Sequence, residues 1–258
     1  MFTHLNGRFV WYELMTSDPS AAQTFYGQVI GWSTAPFEGA GQPYTMWLNG
    51  QTPIGGVMQL PDEAKVVGAP PHWLVYIGTP EIDGTVDQAR TLGASIIVGP
   101  QDIPTVGRFA VLKDPQGAAF AAFTPADESP GREGNPENGD FSWHELATVD
   151  HEAAFTFCSS LFGWQKTEAM DMGEAGMYQM YGLPGTAIPL GGMFNTPKEV
   201  PAPPHWLLYT MVDDVDARAE QVKTMGGTIL NGPMEVPGGD RIVQCMDPQG
   251  AAFALHSK

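Results

Sequence analysis

The side chains able to do acid–base or ligand chemistry recur in pairs along this chain. Glu13 lies in FVWYELM and Glu145 in FSWHELA, each two residues after a tryptophan, Trp11 and Trp143. Strand side chains alternate with period two, so each Trp–Glu pair belongs to one face of a strand. A carboxylate among Trp, Leu and Met is costly to bury unless it is paired or hydrogen-bonded. Two readings follow. In one, Arg108 and Arg241, at matching positions before a late strand, neutralise the two glutamates and the pairs are structural. In the other, Glu13 and Glu145 are cavity carboxylates that act as general bases on an acidic C–H or accept a ligand's hydrogen bond.

The histidines divide in the same way. His72 and His205 each sit in APPHW, whereas His256 stands where the first half has Phe123. Glu145, His205 and His256 lie on three strands and have the composition of a facial triad for a divalent metal. The first half cannot make that set. The competing reading has His72 and His205 holding turns made by the preceding prolines, and His256 in a fraying terminal segment. Trp11, Tyr44, Trp143 and Tyr178, with Met46 and Met180, are either core or the wall of a cavity that could stack on a flat ligand.

Positioning these residues is the work of a duplicated scaffold. Phe9 to Trp32 matches Phe141 to Trp164 without a gap, APPHWLVYI matches APPHWLLYT, and KDPQGAAFAAF matches MDPQGAAFALH. Within each half the pattern is strand, helix, then strands, and it occurs twice. VWYELMT is β-rich; Asp18 and Pro19 start a helix on which Ala22, Phe25, Tyr26 and Val29 share a face, and Gly31 closes it. Strands are expected at Tyr44 to Asn49 and Ile54 to Leu60, then a strand at HWLVYI and a helix over Ile82 to Leu92 capped by Gly93. SIIVGP, RFAVLKD and AAFAAF make three more strands. The expectation is an α+β fold of four βαβββ units with curved, open, mostly antiparallel sheets. They form two tandem domains, 1–123 and 141–258, joined by an exposed Pro- and Gly-rich linker over 124–140. Cys158 and Cys245, the only cysteines, stand where the first half has Tyr26 and Leu112, which makes them inert core thiols.

Composition narrows the function classes. With 12 basic and 29 acidic residues the net charge is −17, and no basic cluster offsets it, which disfavours nucleic acid. No apolar run is long enough for a membrane helix. Two cysteines cannot build a disulfide framework, and no secretory leader pattern opens the sequence, so a cytoplasmic location is expected.

FYGxxxGW ending the first helix of the first half, where the second half keeps F and GW as FCSSLFGW, with the glycine closing the second helix and DPxG before the last strand in both halves, resembles the vicinal-oxygen-chelate superfamily. This group includes glyoxalase I, bleomycin-resistance proteins, extradiol dioxygenases and fosfomycin-resistance enzymes. More narrowly, the chain is similar to two-domain actinobacterial glyoxalase-like proteins, often labelled hydroxylases, including a mycobacterial antigen type. The resemblance implies cup-shaped sheets around a small-molecule site, many members holding a divalent metal there. Carried over by position, the metal ligands would fall at Trp11, Trp143, Leu74, Leu207, Ala121 and Ala254, none of which binds a divalent ion well.

The expected function is therefore binding of a small aromatic or carbonyl-bearing metabolite without the family's metal cage and without a cofactor. Trp11, Tyr44, His72, Arg108, Trp143, Tyr178, His205 and Arg241 would contact the ligand, and Glu13 or Glu145 would supply any catalysis. The alternative is a lyase, isomerase or dioxygenase holding one Fe, Mn, Zn or Ni ion at Glu145, His205 and His256. Fusion of two copies favours a monomer over a dimer.

Overall fold

The computed structural model describes residues 5–39, 44–127, 134–186, 188–200 and 202–258. The middle of the expected linker, 128–133, lies outside the described residues. The first βαβββ unit comprises β1 (Phe9–Thr16), α1 (Pro19–Val29), β2 (Ser33–Phe37), β3 (Tyr44–Asn49) and β4 (Thr52–Gln59). A short helix, α2 (Asp62–Val66), leads to the second: β5 (His72–Gly78), α3 (Ile82–Thr91), β6 (Ser95–Ile103), β7 (Gly107–Lys113) and β8 (Ala119–Pro125). The third holds β9 (Phe141–Thr148), α4 (His151–Phe162), β10 (Gln165–Asp171), β11 (Met177–Gly182) and β12 (Gly191–Asn195). The fourth holds β13 (His205–Met211), α5 (Val215–Thr224), β14 (Thr228–Glu235), β15 (Arg241–Met246) and β16 (Ala252–Ser257).

The strands form two open sheets of eight, one from each half, in the orders β2-β3-β4-β1-β5-β8-β7-β6 and β10-β11-β12-β9-β13-β16-β15-β14. In each unit the first strand pairs in parallel with the last, as β1 does with β4, and the other pairings are antiparallel. The intervening helix provides the crossover a parallel pair requires. The fold class is α+β, as the repeated pattern implies.

Local chemistry explains the element ends. Asp18 and Asp150 cap α1 and α4 by accepting from the backbone N–H three residues on, and Glu81 and Asp214 cap α3 and α5. Gly163 ends α4 with φ +75, the left-handed conformation that favours glycine. The strand β2 and the helix α2 are additions to the sequence-level reading. β2 is an edge strand with exposed side chains and a proline, so it carries no apolar alternation. α2 is five residues long with none buried.

Two compact units are built from quarters of both halves. One comprises Trp11–Leu74, Gly134–Ser142 and Leu207–Lys258; the other Met1–Val10, Val75–Glu133 and Trp143–Trp206. In the former, the Trp32 indole donates to the Gly139 carbonyl at 2.7 Å and Tyr12 stacks on Phe141 at 3.7 Å. In the latter, Trp164 donates to the Gly7 carbonyl at 2.8 Å and Phe9 stacks on His144 at 3.7 Å. Gly7 has φ +76, and a Cβ there would meet the Phe162 carbonyl and the Trp164 ring, so the close approach of the indole needs glycine. Among the described residues no helix is long and apolar enough to cross a membrane.

Candidate functional site

Each half builds the same cluster from its first unit. On β1 the alternation places Tyr12, Leu14 and Thr16 in the core and Trp11 and Glu13 on the opposite face. Glu13 pairs in register with Gly56 on β4, and Met46 on β3 pairs with the same glycine, which brings Tyr44, two residues earlier, onto that face. Trp11 Nε1 donates to the Tyr44 hydroxyl at 2.9 Å, and Tyr44 hydrogen-bonds Glu13. In the second half Trp143 Nε1 donates to the Tyr178 hydroxyl at 2.7 Å, and that hydroxyl donates to Glu145 Oε2 at 2.9 Å. The tryptophans and tyrosines are half-buried while Glu13 and Glu145 are only 5% and 7% exposed. The result is an aromatic rim over a buried carboxylate.

The proton positions follow from the partners. The indole can only donate, so the tyrosine oxygen accepts from it and turns its own hydrogen to the carboxylate. Burial first, and then the Glu13 charge, push the Tyr44 hydroxyl above its ordinary value, which keeps it a donor. The hydrogen bond in turn favours the ionised form of the glutamate.

Gly56 and Gly192 complete the cluster, and sequence reasoning missed them. A Cβ on Gly56 would collide with the Tyr44 hydroxyl, and one on Gly192 with the Tyr178 ring. The available signal was the GG doublet opening GGVMQ and GGMFN. It reads as lacking ligands, whereas its use is to make room.

The remaining expected residues lie elsewhere. Arg108 does not serve Glu13 or Glu145 as counter-ion: its guanidinium binds Asp83 on α3 at 3.1 Å and Asp102 on β6 at 2.9 Å. Arg241 likewise binds Asp216 on α5 at 2.8 Å. Both arginines, expected on the ligand, hold exposed aspartates, one of them in the first turn of a helix in each copy. Each Arg–Asp pair recurs because the helix follows its strand at the same spacing in both copies. His72 Nδ1 and His205 Nδ1 each lie 2.8 Å from a proline carbonyl two residues earlier, Pro70 and Pro203. A carbonyl can only accept, so each ring carries its proton on Nδ1 and spends it on the turn.

The metal triad is not assembled. Among the described residues no group of three or more His, Cys, Asp or Glu side chains is arranged to hold an ion. His256 has both ring nitrogens engaged, Nδ1 with Ser142 Oγ at 3.0 Å and Nε2 with Asp240 Oδ2 at 2.8 Å. Glu145 is held by Tyr178 and His205 by Pro203. The positions aligned with the family's ligands are indole or aliphatic, and Leu74, Leu207, Ala121 and Ala254 are buried. The donor set does not fit a divalent ion.

Comparison with known proteins agrees with the duplicated fold. The model of the glyoxalase/bleomycin resistance protein/dioxygenase superfamily matches residues 8–122 and again 141–255. The chain belongs to this superfamily. This superfamily member is 32% identical over 248 residues to CFP32 of Mycobacterium bovis, whose name assigns it provisionally as a glyoxylase. The match covers 95% of the chain and 92% of the relative. It is 28% identical over 262 residues to the anthracycline biosynthesis protein DauV of a Streptomyces species, covering 96% and 92%. Among solved structures, the Mn(II)-bound glyoxalase of Novosphingobium aromaticivorans superposes with a TM-score of 0.65 at 15% identity, covering 98% of the chain and 82% of that structure. A substrate complex of homoprotocatechuate 2,3-dioxygenase from Brevibacterium fuscum gives 0.68 at 14% identity, covering 98% and 81%. At such identities these structures speak for the fold alone.

Proposed function

We propose that this superfamily member binds a flat, oxygen-bearing aromatic or carbonyl compound at its Trp–Tyr–Glu clusters, independently of a metal ion. The observation that carries the reading is the Tyr178 hydroxyl bonded to the buried Glu145 beneath a half-exposed Trp143. The indole and phenol rings supply a stacking surface, and the carboxylate, oriented by the tyrosine, accepts a phenolic or enolic O–H. The name of the relative DauV supports an aromatic ligand, anthracyclines being planar oxygenated ring systems. A catalytic extension needs one further step, transfer of the ligand's acidic proton to Glu13 or Glu145. Because both copies lie in one chain, we read the working unit as a monomer.

The test is titration of the chain with a dihydroxyanthraquinone, followed by quenching of tryptophan fluorescence. Glu145→Gln and Tyr178→Phe should each weaken binding about tenfold, one charge-assisted hydrogen bond's worth. Unchanged affinity in both, and in the matching Glu13→Gln, would overturn the reading. Turnover of bound compound, abolished by Glu145→Gln, would establish the catalytic extension.

A further inference from the structure

The two copies differ at one buried point where a hydrogen-bonded chain is interrupted. In the unit containing α1, the Trp73 indole donates to the Tyr26 hydroxyl at 3.1 Å, and that hydroxyl donates to Asp247 Oδ2 at 3.1 Å. Asp247 belongs to the DPQG turn, and its Oδ1 accepts from the backbone N–H groups of Gln249 and Ala251. Tyr26 is fully buried, so its hydroxyl is the polar link between an indole donor and a carboxylate acceptor.

In the unit containing α4 the corresponding residues are Trp206, Cys158 and Asp114. Asp114 holds its own DPQG turn in the same manner, Oδ1 accepting from Gln116, Gly117 and Ala118 at 2.7 to 2.9 Å. The tyrosine is absent, and both of its partners are left over. Trp206 Nε1 and Asp114 Oδ2 are buried without a hydrogen-bond partner among the described residues, in side chains 8% and 5% exposed. Cys158 is buried at the position the first copy gives to Tyr26. The loss of ring volume has a replacement: Phe162, where the first copy has Ile30, packs against Phe120 and Trp164 at 5.7 and 5.5 Å. Phe162 restores apolar contact but brings no polar atom.

A lone unpaired donor or acceptor in a core is a cost the fold bears; a complementary pair, at the two ends of a link that the sister copy closes with a hydroxyl, is a binding geometry. We propose that Trp206 Nε1, Asp114 Oδ2 and the Cys158 thiol bind one buried water molecule, which occupies the place of the Tyr26 hydroxyl. The ligand must accept from an indole and donate to a carboxylate at once, and water is the smallest molecule that does both. Three polar neighbours is also the usual complement of a buried water. The thiol contributes as a weak donor and acceptor, not as a nucleophile, since burial and Asp114 push it well above its ordinary value.

A high-resolution crystal structure of the full chain tests this directly. The expected result is a density peak within hydrogen-bond distance of both Trp206 Nε1 and Asp114 Oδ2. Absence of a peak, or a direct protein partner for either atom, would overturn the proposal. Cys158→Tyr combined with Phe162→Ile, which frees the space the ring has in the first copy, supplies the independent arm: its hydroxyl should displace the water and join the two residues as Tyr26 does. In the same Phe162→Ile background Cys158→Phe fills that space without the hydroxyl and should melt about 2–4 °C below Cys158→Tyr, the shift expected for one buried bonded link. Equal melting temperatures would count against the proposal. If the larger side chains prevent folding, the density in the parent protein decides.

Discussion

Tyr178 donates its hydroxyl hydrogen to Glu145 across 2.9 Å, and it can lie there because Gly192 has no side chain to obstruct its ring. The first half repeats the relationship with Tyr44, Glu13 and Gly56. Two such clusters place buried carboxyl groups on largely apolar strands, each tethered by a phenol that is itself held by an indole.

Substituting the glycines tests the fit. Gly192→Ala should displace the Tyr178 ring and destabilise the chain by about 1–3 kcal/mol, the usual penalty for overpacking. Gly56→Ala should behave alike through Tyr44. Chemical denaturation measures both, and a loss below ~0.5 kcal/mol in both would show that the ring is free to move aside.

Removing the hydroxyl separates tether from space. Tyr178→Phe keeps the ring but leaves Glu145 Oε2 without that donor, so stability should fall by about 1.5–3 kcal/mol at neutral pH. Chemical denaturation measures the loss, and one below ~0.5 kcal/mol would show that the bond contributes nothing to the fold.

His144 supplies a pH signal. It is buried against Phe9, and burial lowers its pKa from 6.5 to about 4 despite a bond to the Leu190 carbonyl. The folded state therefore resists protonation that the unfolded state accepts. Its contribution is fully present above about pH 6.5 and is lost as the pH falls toward 4, a change of roughly 3 kcal/mol at most. His144→Tyr, which copies Tyr12 of the first half, should flatten this part of the stability–pH curve. An unchanged slope in that variant would assign the acid sensitivity to other groups.

Arg108 and Arg241 make the contrasting case. Their pairs with Asp83, Asp102 and Asp216 are exposed and screened by salt. Arg108→Gln and Arg241→Gln should leave ligand affinity unchanged, with any loss of melting temperature diminishing as salt is raised. A tenfold loss of affinity in either would return the arginine to the binding site.

Metal uptake completes the set. Incubation with Fe(II), Mn(II), Zn(II) or Ni(II), followed by elemental analysis after gel filtration, should give far less than one equivalent per chain. One equivalent lost on His256→Ala would reinstate the triad of Glu145, His205 and His256.

Much of this protein was legible in its residues because the relevant physics is local. Helix starts at Asp18 and Asp150 and helix ends at Gly31 and Gly163 are written in neighbouring residues, and strand alternation in VWYELMT or HWLVYI needs no partner to be seen. Duplication made each assignment twice, which is why the α+β fold of four βαβββ units could be read from the sequence. β2 escaped because an exposed edge strand buries nothing and so has no apolar period.

The site divides along the same line. That Trp11, Glu13, Tyr44 and their counterparts are candidates for the site follows from their types and, for the Trp–Glu pairs, from strand periodicity. That they touch one another depends on registers between β1, β3 and β4, and sequence separation carries no information about those. The glutamates took phenols instead of the arginines because β3 delivers Tyr44 across Gly56, while α3 and α5 present nearer aspartates to Arg108 and Arg241. Tertiary structure also decided what Cys158 means. In the sequence it is a small core residue in place of Tyr26; in the fold it interrupts a link between Trp206 and Asp114, two residues far apart along the chain.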